Sequence, residues 1–234
     1  MIITCQKSLS DILESLSPGE NIFIAGCSEC ATVCETGGEK EVLEIKSILE
    51  ERGFKVSGWA VFDPACHMQR DKRTLRRHKK VLEETDTILA LACGNGVQTL
   101  GEASGIKIIS GNDTLFLGSI VSEKEFQKTC SMCGECLIND FGGLCPVTRC
   151  PKHMLNGPCG GSVDGRCEVS DTPCVWHGIF NSLERQGRLE DLKRINPPKN
   201  WSHEADFVRG SSGKHKEYEE CEEYECCEGG GDTK

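Results

Sequence analysis

Residues 129–174 read TCSMCGECLINDFGGLCPVTRCPKHMLNGPCGGSVDGRCEVSDTPC. Eight cysteines fall within this stretch: Cys130, Cys133, Cys136, Cys145, Cys150, Cys159, Cys167 and Cys174. Its apolar residues recur with neither a helical nor a strand period. It therefore reads as a segment without a hydrophobic core, held instead by metal–thiolate bonds.

The rest of the composition bears on which chemistry those thiols serve. The chain of 234 residues holds 17 cysteines, only 6% aromatic residues and a net charge of -10. The opening residues, MIITCQKSLSDILESL, lack a basic region followed by an apolar run and do not read as a secretory leader. No apolar run approaches the length of a membrane span. A cytoplasmic chain is expected, and there clustered thiols serve metals more than disulfides. The acidic balance argues against nonspecific nucleic-acid binding, which needs a basic face.

Upstream of the cysteine-rich stretch the pattern changes. Leu9, Ile12, Leu13 and Leu16 predict a short helix within residues 1–20, capped by Ser8 or Ser10 and closed by Pro18-Gly19. Residues 21–25, 54–62, 87–92 and 106–109 read as strands, and residues 39–52 and 70–84 as helices. Alternating strands and helices predict an α/β half with a parallel sheet over residues 1–125. A small, irregular iron–sulfur half follows over 126–200, with residues 111–129 as its connection and a helix over 175–194. Residues 201–234, with EYEECEEYECCEGGG near the end, read as a disordered acidic tail. Its Cys221, Cys226 and Cys227 belong to no recognisable pattern.

The cysteines of the first half lie where predicted strands end: Cys27, Cys30 and Cys34 after the first, Cys66 after the second and Cys93 after the third. Ligands of open parallel sheets bind outside the carboxyl ends of the strands. These five residues are therefore expected to converge on one metal site, with Cys66 or Cys93 as fourth ligand. The flanking glycines favour Cys93. A reactive-cysteine enzyme is the rival reading, but Cys66 has no evident partner base.

Cys130, Cys133 and Cys136, followed by Cys145-Pro146, resemble a ferredoxin cluster run, although the Cys-Pro element sits farther away than usual. Cys150, Cys159, Cys167 and Cys174 lack the paired knuckles of a zinc ribbon. Iron–sulfur ligation is favoured for both groups, with zinc possible at one site. The expected complement is roughly two or three 4Fe-4S clusters. Gly37-Gly38 before a helix reads as clearance for a cluster loop. The basic run 70–80 is either a solvated helix face or a docking surface for an acidic partner.

Taken together, GCSECATVCETGGEKEV, LACGNGVQTLGE, GGLCPVTRCPKHMLNGPCGG and GRCEVSDTPCVW resemble MetV, the iron–sulfur small subunit of MetVF-type methylenetetrahydrofolate reductase. The resemblance covers about residues 20–200. It implies a non-catalytic electron-transfer subunit paired with a MetF-type flavoprotein that carries the FMN. Electrons from a donor such as ferredoxin, or a larger electron-transfer complex, would pass through the clusters to that flavin. The flavin would then reduce 5,10-methylenetetrahydrofolate to 5-methyltetrahydrofolate. The cysteines from Cys27 to Cys174 named above map onto the family's cysteines. The alternative is a zinc-stapled module that only positions the flavoprotein.

Overall fold

The computed structural model describes residues 1–201. Fifteen regular helices and strands are numbered here in chain order: β1 Ile2–Gln6, α1 Leu9–Glu14, β2 Asn21–Cys27, α2 Cys30–Val33, α3 Glu39–Glu51, β3 Lys55–Phe62, α4 Met68–Arg77, α5 Lys79–Leu82, β4 Thr87–Leu91, α6 Gly94–Ser104, β5 Lys107–Ser110, β6 Asn112–Ser122, β7 Glu125–Lys128, α7 Pro146–Arg149 and α8 Val175–Arg185. Residues 1–132 and 136–198 make one compact unit; among the described residues, 133–135 group with 199–201 in another. The acidic-tail reading and Cys221, Cys226 and Cys227 lie outside the described residues.

The first unit contains the expected parallel sheet, in the order β3-β2-β4-β5. The central strand β2 is apolar on both faces because helices cover both. Phe23 and Ala25 point to one side, with Ile88, Ala90, Leu75 of α4 and Leu100 of α6. Ile22 and Ile24 point to the other, with Leu89, Leu91 and the α3 residues Val42, Ile45 and Leu49. Val42 and Leu49 are fully buried. Burial of a side chain of this size contributes about 1.5–3 kcal/mol. Glu41 closes the start of α3 by accepting from the Gly38 N–H at 2.9 Å.

Five stretches depart from the sequence-based expectation. Residues 2–6, inside the stretch 1–20 read as a short helix, form strand β1. Residues 111–129, read as a connection, hold β6 and β7, which make an antiparallel sheet with β1 in the order β1-β6-β7. Residues 94–104, where no element was expected, form α6. The helix expected over 70–84 breaks at His78, whose ring packs edge-on against Phe23 at 5.7 Å. The predicted helix 175–194 ends at Arg185 and resumes only as a short 3-10 turn, Leu189–Lys193.

The cysteine-rich region also differs from its reading as a segment without a core. Phe141, Cys150, Val175, Trp176, Ile179 and Leu183 form a small apolar cluster, with Leu137, Leu144 and Met154 against it. Phe141 meets Trp176 edge-to-face at 5.5 Å, and the Trp176 indole donates to the Met154 carbonyl at 3.1 Å. Irregular backbone carries these apolar side chains onto α8, so no period appears in the sequence.

Candidate metal centre

The sheet delivers three thiols to one edge. Cys27 ends β2, Cys66 follows β3, and Cys93 lies between β4 and α6. Cys30 opens the short helix α2. Burial pushes the Cys27 thiol up, against the pull of backbone amides at Ala65, Glu29 and Ala31, and the nearby Cys93 adds to the push. Burial likewise pushes Cys66 up, followed by the charges of Cys93, Cys27 and Cys30. Cys27, Cys30, Cys66 and Cys93 thus share one electrostatic neighbourhood. Both candidates for the fourth position lie within it.

Strand β1 reaches the same region. The Ile2 N–H donates to Cys30 Sγ at 3.5 Å, and Cys34 Sγ donates to the Ile2 carbonyl at 3.8 Å. A buried hydrogen bond of 2.6 Å between the Thr4 and Thr36 hydroxyls fastens the strand to the thiol loop. Gly37 accepts from the Cys27 N–H through its carbonyl at 2.8 Å. A Cβ on Gly37 would overlap the Leu91 carbonyl. The glycine expected to clear a cluster loop therefore clears strand β4.

The second group is described in parts. Cys130 Sγ accepts from the Met132 N–H at 3.3 Å. Cys145 precedes Pro146 at the start of α7, and its thiol donates to the Thr148 hydroxyl at 3.6 Å. That hydroxyl also bonds Ser131 at 2.9 Å, which brings the Cys130 and Cys145 segments together. Cys136 is exposed. Cys133 belongs to the other unit, where its thiol donates to the Glu135 carbonyl at 3.5 Å. In that unit Lys199 pairs with the Glu135 carboxylate at 2.8 Å.

The third group is the most complete. Cys150, Cys159, Cys167 and Cys174 all line one small cavity, together with Lys152 and Glu168. Cys150 is buried in the apolar cluster, and Cys174 immediately precedes α8. The Cys167 N–H bonds the Thr172 carbonyl at 2.9 Å and the Cys174 N–H bonds the Gly165 carbonyl at 2.7 Å, so the last two thiols sit on one tight loop. Backbone amides at Val169 and Ser170, then the Ser170 hydroxyl, hold the Cys167 thiol below its ordinary range. Four thiols facing one space make a donor set suited to iron–sulfur or zinc ligation. Among the described residues, no three Cys, His, Asp or Glu side chains are already gathered at the spacing of one ion's ligands.

A larger cavity of about 420 Å³ shares Ser162 and Trp176 with this space and is walled by Phe141, Phe180, His177 and Arg194. Its other polar groups are engaged: Asp191 pairs with Arg188 at 2.6 Å, and Asn156 accepts from the Asn196 N–H at 2.7 Å.

Residues 109–202 match the family described as methylene-tetrahydrofolate reductase C terminal. The chain is related to methylenetetrahydrofolate reductase through this segment. The match takes in β6, β7, α7, α8 and every cysteine from Cys130 to Cys174. It leaves out the parallel sheet and its strand-end thiols. No curated protein and no solved structure matches the chain.

The sequence reading passed over Asp71. It sits on α4 one turn before Leu75, fully buried, and neither carboxylate oxygen has a hydrogen-bond partner. Burial pushes its carboxyl up to about 6, with His67 pulling the other way. The available signal was the spacing: Met68, Asp71, Leu75 and His78 fall on one helical face, while the cations occupy the others. Glu168 and Lys152 were also missed, because nothing in their local sequence ties either to a thiol.

Proposed function

We propose that this chain is the electron-transfer iron–sulfur subunit of a methylenetetrahydrofolate reductase complex. It would pass electrons to the flavin of a MetF-type partner for reduction of 5,10-methylenetetrahydrofolate to 5-methyltetrahydrofolate. The observation that carries this reading is the meeting of Cys150, Cys159, Cys167 and Cys174 around one space, inside the segment related to the reductase. Residues so far apart in sequence have no ordinary packing reason to present four thiols to one cavity.

Cys27, Cys30 and Cys34, with Cys66 or Cys93 as the fourth ligand, would hold a further group at the sheet edge. Cys130, Cys133, Cys136 and Cys145 would supply the ferredoxin-like one. Iron–sulfur clusters, when bound, supply one-electron carriers whose potentials follow ligation, hydrogen bonding to sulfur and exposure. The chain's own part is to fix the thiols, aim amides at them and exclude water. On this reading flavin and folate belong to the partner.

Anaerobic purification tests the proposal. A brown protein with near-equal iron and acid-labile sulfide, able to reduce a MetF-type flavoprotein, is the expected result. A colourless chain holding only zinc would replace it with the second reading, a zinc-stapled module that positions the flavoprotein. Four thiols around one space serve that reading as well.

A further inference from the structure

The cavity lined by Cys150, Cys159, Cys167 and Cys174 also holds one cation–anion pair. Lys152 and Glu168 form an ion pair, and both side chains are only partly exposed. The Glu168 carboxylate takes a hydrogen bond from Cys159 Sγ at 3.4 Å. The same carboxylate oxygen, Oε1, pairs with the Lys152 ammonium, so one atom bridges cation and thiol. The Glu168 carboxylate also lies over Gly161, where the absence of a Cβ lets it rest without moving aside.

The charges constrain what this pair does once Cys159 becomes a ligand. A thiolate no longer donates to Glu168, and two negative groups so close repel one another. The Lys152 ammonium is the group able to answer both, because it carries three donors and a full positive charge. A charge-assisted N–H···S contact stabilises the more electron-rich state of a thiolate-bound centre and weakens the reactivity of the sulfur.

We propose that Lys152, held by Glu168, is the positioning residue that presents a positive charge to the Cys159 sulfur and tunes the metal group of this four-cysteine site. The proposal rests on the four-cysteine site holding a metal group.

The test uses the full chain purified anaerobically as wild type, Cys159→Ser, Lys152→Met and Lys152→Arg. Cys159→Ser identifies the site by the metal, and for iron the redox signal, that it alters. Lys152→Met should keep the metal count but lower the midpoint potential of that signal, and Lys152→Arg should restore most of it. If the metal is zinc, its release to a chromogenic chelator should be about tenfold faster in Lys152→Met and near the wild-type rate in Lys152→Arg. A potential or release rate unmoved by Lys152→Met overturns the role of Lys152 and leaves the site intact. Equal loss in Lys152→Met and Lys152→Arg also overturns it, since charge would then not be what matters. Unchanged metal in Cys159→Ser overturns the four-cysteine site itself, and the proposal with it.

Discussion

The backbone N–H of Ile2 donates to the sulfur of Cys30 across 3.5 Å. This contact joins the antiparallel sheet to the thiols gathered at the end of the parallel one. Ile2→Pro removes that donor and keeps an apolar side chain. The variant should make Cys30 several-fold more reactive toward a maleimide in the metal-free chain, measured by mass spectrometry of the labelled peptide. Ile2→Ala, which keeps the N–H, should label like wild type.

Asp71 predicts a pH dependence of opposite sign to that of a salt-bridged carboxylate. Its carboxyl titrates near 6 in the fold against an ordinary value of 3.8. Between those values the native state binds more protons than the unfolded chain, so stability falls as pH rises through the interval and remains lower above it. Asp71→Asn should be about 1–2 kcal/mol more stable than wild type near neutral pH and nearly equal at pH 4. Urea denaturation followed by tryptophan fluorescence at both pH values measures the difference. An equal effect at the two pH values would assign the gain to packing rather than charge.

Gly37 carries two duties at once. It packs against the Leu91 carbonyl with no room for a Cβ, and its own carbonyl holds the Cys27 N–H. Gly37→Ala should cost about 1–3 kcal/mol of stability through overpacking. It should also lower metal retention at the strand-end thiols more than at Cys150, Cys159, Cys167 and Cys174. Gly94→Ala meets only the Thr114 hydroxyl at 3.4 Å and should be nearly neutral.

The core around Trp176 separates metal loss from unfolding. Cys133→Ala should lower iron content, yet Trp176 should remain buried and its fluorescence blue-shifted. Limited proteolysis should cut near residues 130–136 and spare α8. Cleavage throughout 137–185 would mean that ligation, not the apolar cluster, holds this region.

Removal of residues 204–234 should leave the metal content unchanged. Iron and zinc per chain, before and after truncation, give the answer.

The sequence made the parallel sheet legible because its information is local. Ile22 to Ala25 and Ile88 to Leu91 are continuous apolar runs, and Val42, Ile45 and Leu49 mark one face of α3. The meeting of Cys27, Cys66 and Cys93 followed, since each ends a strand of the same sheet. Helix α6 was hidden by its glycines. Gly96 packs against Ala65 and Ala92, and Gly101 against Ile108, so tertiary contact overrides their poor helix propensity. Strand β6 was hidden because Leu115, Ile120 and Val121 face outward and blur the alternation. The contact of β1 with Cys30 lay out of reach, because reading a short helix within residues 1–20 leaves out the only element that makes it. Glu168 beside Cys159 depends on the path of an irregular loop, which no spacing rule encodes.

The apolar cluster of Phe141, Trp176, Ile179 and Leu183 has a consequence for how the protein matures. A recipient whose scaffold stands without its inorganic cargo can be synthesised first and charged afterwards. On the proposed function, a metal donor would then meet a docked helix and a shaped pocket instead of a loose string of thiols. Cys159 is exposed on that scaffold and Cys150 is buried in it, so on the proposed function a metal donor would reach the first of these two thiols before the second.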